Sequence, residues 1–132
     1  MSLPNGAGGY QINDGNIGEA VLFVQGAPTL LSADATITAA QLSNGLFTVD
    51  PAADITATLP TVALLEADVS SAAKVNAAFD FAVTNLDLAF QVTFAVGTGW
   101  TIAGNAIVLE NTSAQFRARK TGAGTWTLYR IA

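Results

Sequence analysis

Hydrophobic and polar positions alternate through the second half of this chain. Phe79, Phe81 and Val83 fall on one side of an extended segment, with Asp80, Ala82 and Thr84 on the other. Phe90, Val92, Phe94 and Val96 then alternate with Ala89, Gln91, Thr93 and Ala95. A period of two is the signature of a half-buried strand, and Asn85-Leu86-Asp87 between the two runs reads as a turn. Further strands are predicted over 100–102, 106–109, 113–120 and 125–131. Gly104-Asn105, Asn111-Thr112 and Gly122-Ala123-Gly124 separate them. Thr is frequent in these runs, and its branched Cβ suits a pleated surface.

The first half is less regular. Residues 20–24 form a β-rich apolar run closed by Gly26-Ala27-Pro28. Short strands are predicted over 35–38, 46–49 and 55–59, the last two ended by Asp50-Pro51 and Pro60. Residues 38–42 can make one helical turn before Asn44-Gly45 stops it. One longer helix is predicted over 61–73. Thr61 is placed to cap it, and Val62, Leu65, Val69 and Ala72 lie along one stripe. Residues 1–19 are rich in Gly and Asn, with only Tyr10 and Ile12 as alternating anchors. They read as an extended N-terminal arm that cannot bury itself alone. Strands about ten residues apart with Gly or Asn turns predict a mainly β chain. The expectation is a single-domain antiparallel β-sandwich over 20–132, jelly-roll-like, with one short helix.

Composition narrows the chemistry. The 132 residues contain no Cys and no His, and only 11% are charged, while 51% are hydrophobic. Without His or Cys there is no zinc finger, no Ser-His-Asp or Cys-His nucleophile system and no disulfide framework. No cofactor and no metal site is expected. Ten acids against five bases leave a net charge of −5, which argues against nucleic acid as a partner. The apolar runs are far below the roughly 20 residues that span a bilayer, so no membrane segment is expected. No basic stretch followed by an apolar one begins the chain, so no signal peptide is expected. Asp50 and Asp54 read as turn formers, and Glu66 and Asp68 do not share a helical face, so neither couple reads as an acid–base pair. A small chain so poor in charge, with no membrane signal, points to burial against other subunits.

The charges are unevenly placed. Arg117, Arg119, Lys120 and Arg130 lie in the last sixteen residues, which contain no acid, so that tail carries +4 and the rest of the chain −9. With a two-residue turn at Gly122-Ala123, Arg119 faces Trp126 and Arg117 faces Leu128. One side of this hairpin then carries Phe116, Ala118, Thr127, Tyr129 and Ile131. The other carries Gln115, Arg117, Arg119, Trp126, Leu128 and Arg130. Arg and Trp together are favoured at protein interfaces. The alternative is a solvated patch in which Arg stems cover Trp126. Tyr10, Ile12, Arg117, Arg119, Trp126, Leu128 and Arg130 are therefore the candidate contact residues.

The strings Gly97-Thr98-Gly99-Trp100-Thr101-Ile102, Ser113-Ala114-Gln115-Phe116-Arg117-Ala118-Arg119 and Thr125-Trp126-Thr127-Leu128-Tyr129-Arg130 carry a resemblance. With Ala35-Thr36-Ile37-Thr38 and Thr56-Ala57-Thr58-Leu59, the C-terminal strings resemble small structural proteins of tailed bacteriophages, of the capsid decoration (cement) type. The resemblance covers most of 35–132. It implies a β-rich, commonly trimeric protein on the outside of the head, made in the host cytoplasm. Its partners would be the major capsid protein and copies of itself, and it implies no catalytic residues. The rival expectation is a tail-fibre or receptor-binding module that holds a glycan on exposed aromatics. Trp100, next to Gly99 at a strand start, is the residue that reading would use.

Overall fold

The computed structural model describes residues 22–69 and 74–132. The strands are β1 (Thr29–Leu31), β2 (Ala35–Thr36), β3 (Leu46–Val49), β4 (Ile55–Thr58) and β5 (Ala78–Asn85). They continue with β6 (Val92–Ala95), β7 (Trp100–Ala103), β8 (Ile107–Val108), β9 (Ser113–Gly122) and β10 (Thr125–Arg130). Two helices join them, α1 (Ala39–Asn44) and α2 (Val62–Val69). The chain is mainly β, as the alternation predicts, and its strands form two sheets. A six-stranded sheet runs β1-β3-β5-β9-β10-β7, and a four-stranded sheet runs β2-β4-β6-β8.

Up to β8 the chain visits the two sheets in turn, with odd strands in the larger sheet and even strands in the smaller. Consecutive strands therefore do not pair. Through β6 each strand lies beside the strand two before it and runs the same way; β7 then goes to the far edge of the larger sheet beside β10, and β8 runs antiparallel to β6. β1–β3, β3–β5, β2–β4, β4–β6 and β7–β10 are parallel, while β5–β9, β9–β10 and β6–β8 are antiparallel. This corrects the expected antiparallel arrangement. A parallel pair needs a long crossover, and here the opposite sheet supplies it.

The helices follow local rules. Thr38 caps α1, its hydroxyl accepting from the Gln41 amide while the Gln41 side chain accepts from the Thr38 amide. Gly45 ends α1 at φ 82, a left-handed conformation in which a Cβ is strained. The Thr61 hydroxyl accepts from the Leu64 amide at the start of α2. There are thus two helices among the described residues, where one short helix was expected. Val62 and Leu65 are buried as the stripe predicts, Val69 is exposed, and Ala72 lies outside the described residues.

One apolar core joins both sheets and both helices. Phe81 and Phe116 of the larger sheet stack with centroids 5.3 Å apart. Phe94 of the smaller sheet reaches Phe116 at 5.3 Å and Phe81 at 5.9 Å. The expected strand over 20–24 is not seen at Leu22, Phe23 and Val24, which are irregular, while Ala20 and Val21 lie outside the described residues. The same holds for the arm over 1–19.

Candidate functional site

The C-terminal hairpin decides where the candidate residues go. Gly122 pairs with Thr125, so Ala123-Gly124 forms the tip, and Gly124 takes a positive φ of 68. The register shifts between Thr125 and Trp126. Trp126 then faces Lys120, Leu128 faces Ala118 and Tyr129 faces Arg117. This is one residue off the register that a Gly122-Ala123 turn predicts. In a period-two structure one residue moves every side chain of a strand to the opposite face. Trp126 and Leu128 are therefore core residues, 2% and 0% exposed. Their assignment to a contact surface is corrected. Tyr129, expected in the core, moves outward.

The outward face of β5, β9 and β10 carries two polar groups. The Arg117 guanidinium donates to both carboxylate oxygens of Asp80, Nε at 2.6 Å and an Nη at 2.9 Å, and Gln115 donates to Asp80 at 3.1 Å. Arg117 holds the Asp80 carboxyl below the ordinary carboxylate range, and Asp80 in turn raises the guanidinium. Arg119 donates to the Tyr129 hydroxyl at 2.6 and 3.1 Å and to the Asn76 side chain at 2.8 Å. Its guanidinium also lies over the Tyr129 ring, 5.5 Å from the centroid. Arg130 stands apart, donating to the carbonyls of Ile107 and Asn105 at 2.8 and 3.1 Å and covering the Phe116 ring. The structure thus brings Arg117 and Arg119 to one face and separates Arg130. Tyr10 and Ile12 lie outside the described residues.

Lys120 has the same parity as Phe116 and Ala118, so it points inward. Its ammonium meets the Glu66 carboxylate at 2.7 Å, with both side chains largely buried. Trp126 donates its indole N–H to the same carboxylate at 2.9 Å. The hydrogen bonds from Lys120 and then Trp126 lower the Glu66 pKa. Glu66 sits on α2, so this carboxylate ties the helix to the C-terminal hairpin. The inward phase of Lys120 was visible in its spacing from Phe116. Its partner, 54 positions earlier on a helix, was not.

The remaining chemistry-bearing residues are built into the fold. Trp100 is buried, donates to the Pro60 carbonyl at 2.8 Å and packs against Trp126 at 6.0 Å. It is no exposed aromatic platform, which corrects its place in a glycan-binding reading. Asp34 accepts from the Thr56 amide, Asp54 from the Gln91 amide, and Asp87 from the Ala89 and Phe90 amides. Asp68 accepts from the Ser43 hydroxyl. Among the described residues no group of three Asp or Glu is placed to hold a metal ion. Two open apolar grooves flank the helix pair, ≈ 290 Å³ beside Val69, Phe79 and Trp126 and ≈ 620 Å³ beside Ile37, Pro60 and Leu64. Comparison with protein-family models, curated proteins and solved structures finds no match to this chain.

Proposed function

We propose that this chain is a non-enzymatic structural protein of a tailed-phage virion, one that decorates the capsid exterior and clamps neighbouring capsid subunits. One observation carries the reading toward assembly. Leu22, Phe23 and Val24 are 87%, 83% and 99% exposed in a consecutive apolar run. Gln25 donates to the Asn44 carbonyl at 2.7 Å and Asn44 to the Ala27 carbonyl at 2.9 Å, which anchors the stretch behind them to the end of α1. Three large apolar side chains held out in water are costly unless something covers them. An extended segment of this kind can add to a neighbour's sheet edge or fill its groove.

The resemblance of the C-terminal strands supplies the virion and the capsid. Its partners are the major capsid protein and copies of the chain, as a homotrimer, and its place is the outside of the head. Several weak contacts made by linked copies bind far more tightly than one. Binding only the assembled shell stabilises that shell by mass action. We also read the two sheets as the two layers of a β-sandwich that encloses one core and is wound largely in parallel.

Electron microscopy of the native particle tests this reading. Regular density fitting this chain on the outside of the head is the expected result. Density confined to the tail overturns it in favour of the tail-fibre reading.

A further inference from the structure

Four short connections between strands lie at one end of the molecule: 32–34, 50–54, 86–91 and 109–112. The registers place them together. Val49 pairs with Asn85, Thr84 with Ser113, Ile55 with Val92, and Val92 with Val108. These connections carry Asp34, Asp50, Asp54, Asp87 and Glu110 and no Lys or Arg. The two ion pairs among the described residues, Arg117–Asp80 and Lys120–Glu66, lie elsewhere. This end is therefore acidic; Arg130, which comes near it at the Ile107 carbonyl two residues before Leu109, is itself engaged by backbone carbonyls.

The same end displays Leu86, Leu88 and Leu109, which are 54%, 78% and 52% exposed. The loops bearing them are braced. The Asn85 side chain is buried and donates to the carbonyls of Phe90 and Leu109 at 2.9 and 3.2 Å. The Asn111 amide donates to the Asp87 carbonyl at 2.8 Å, joining one leucine loop to the other. Asp87 also takes the Ala89 and Phe90 amides at 2.8 and 2.7 Å. These leucines are held outward by a hydrogen-bonded frame, so little ordering remains to be done when a partner covers them.

We propose that this end is a docking surface for a basic segment of a partner protein that also carries apolar side chains. Leu86, Leu88 and Leu109 form its centre, and Asp50, Asp87 and Glu110 its rim. Charge sign selects the partner, because a surface of one sign favours the opposite sign and repels its own. The apolar centre selects against a segment that is merely basic. The inference rests on the proposed function in taking the partner to be the capsid subunit.

The test needs no particle, so it can fail independently of the electron microscopy. The isotope-labelled full chain is titrated at low salt with a short peptide of alternating Lys and Leu and followed by amide NMR. Amide shifts confined to 50–54, 86–91 and 109–112 are expected. Leu88→Ser with Leu109→Ser should weaken binding about tenfold, and Asp50→Asn with Glu110→Gln about threefold. Asp68→Asn, which removes an acid elsewhere, should leave it unchanged. All of these positions are exposed, and matching thermal melts will show that the variants keep the fold. Shifts spread over the sheet faces, unchanged affinity in either double variant, or equal binding of a Lys-Ser peptide would each overturn the proposal. So would movement of the same loop amides on dilution without peptide, which would make a second copy the occupant.

Discussion

Phe116 stands where the two sheets meet. Its ring stacks on Phe81 within its own sheet, touches Phe94 of the other, and is covered by the Arg130 guanidinium. Removing it leaves a void lined by rings that cannot all move inward. Phe116→Ala should cost about 3–5 kcal/mol of stability in urea titration. Thr127→Ala, on the opposite face of the same hairpin, should stay within about 0.5 kcal/mol. An equal loss in both would contradict the register described here. At this scale the sequence was informative. The alternation Phe79, Phe81, Val83 marks an inward face, and Phe81 and Val83 are buried while Phe79 packs on Trp126.

Between elements, the contact from Glu66 to Lys120 and Trp126 joins α2 to the hairpin. The folded state holds Glu66 below its ordinary value of 4.5, and Asp80 below 3.8. In the unfolded chain both groups take up protons at those ordinary values, before the folded chain does. Their contribution is therefore present above that range and is lost as the pH falls through the lowered folded values. Stability should decline on acidification below about pH 4.5, and Glu66→Gln should flatten the decline in acid-titrated thermal melts. A wild-type profile flat through this range would contradict the linkage. Of the helices, α2 was legible from its Thr61 cap and apolar stripe, whereas α1 was legible only as a single turn over 38–42, its Thr38–Gln41 capping box being found in the structure. The hairpin register was not. Gly122 and Gly124 are both competent turn residues, and choosing between them reverses the faces of Trp126 and Leu128. Burial makes the choice, since the observed tip puts the indole, Leu128, Phe116 and Ala118 into one core.

Across the described residues, the bases are held by partners within the chain, while acids and exposed leucines share the end formed by 50–54, 86–91 and 109–112. The bases of the C-terminal strands are engaged inside the chain: Arg117 by Asp80, Lys120 by Glu66, Arg119 by Tyr129 and Asn76, and Arg130 by backbone carbonyls. Exposed large apolar side chains among the described residues include Leu22–Val24 and the leucines of 86–91 and 109–112, the latter beside exposed Asp50 and Glu110. Light scattering after size exclusion should give a trimer for the wild type. Replacing Leu22, Phe23 and Val24 together by Ser should give smaller species with an unchanged circular dichroism spectrum. A monomeric wild type would exclude the homotrimer.

The sequence by itself determined a mainly β chain, most of its strand positions, the Thr61 cap of α2 and the absence of His and Cys chemistry. These depend on residue type and on spacings of two to four positions, which the chain carries locally. Only the tertiary structure decided which strands pair, in which direction, and which face of the hairpin is inward. Parallel pairing here joins strands separated by a passage through the other sheet, and the Glu66–Lys120 contact spans more than half a hundred residues. Nothing in a local pattern encodes such pairings. They are set by which arrangement buries Phe81, Phe94, Phe116 and Trp126 together while pairing Arg117 with Asp80 and Lys120 with Glu66.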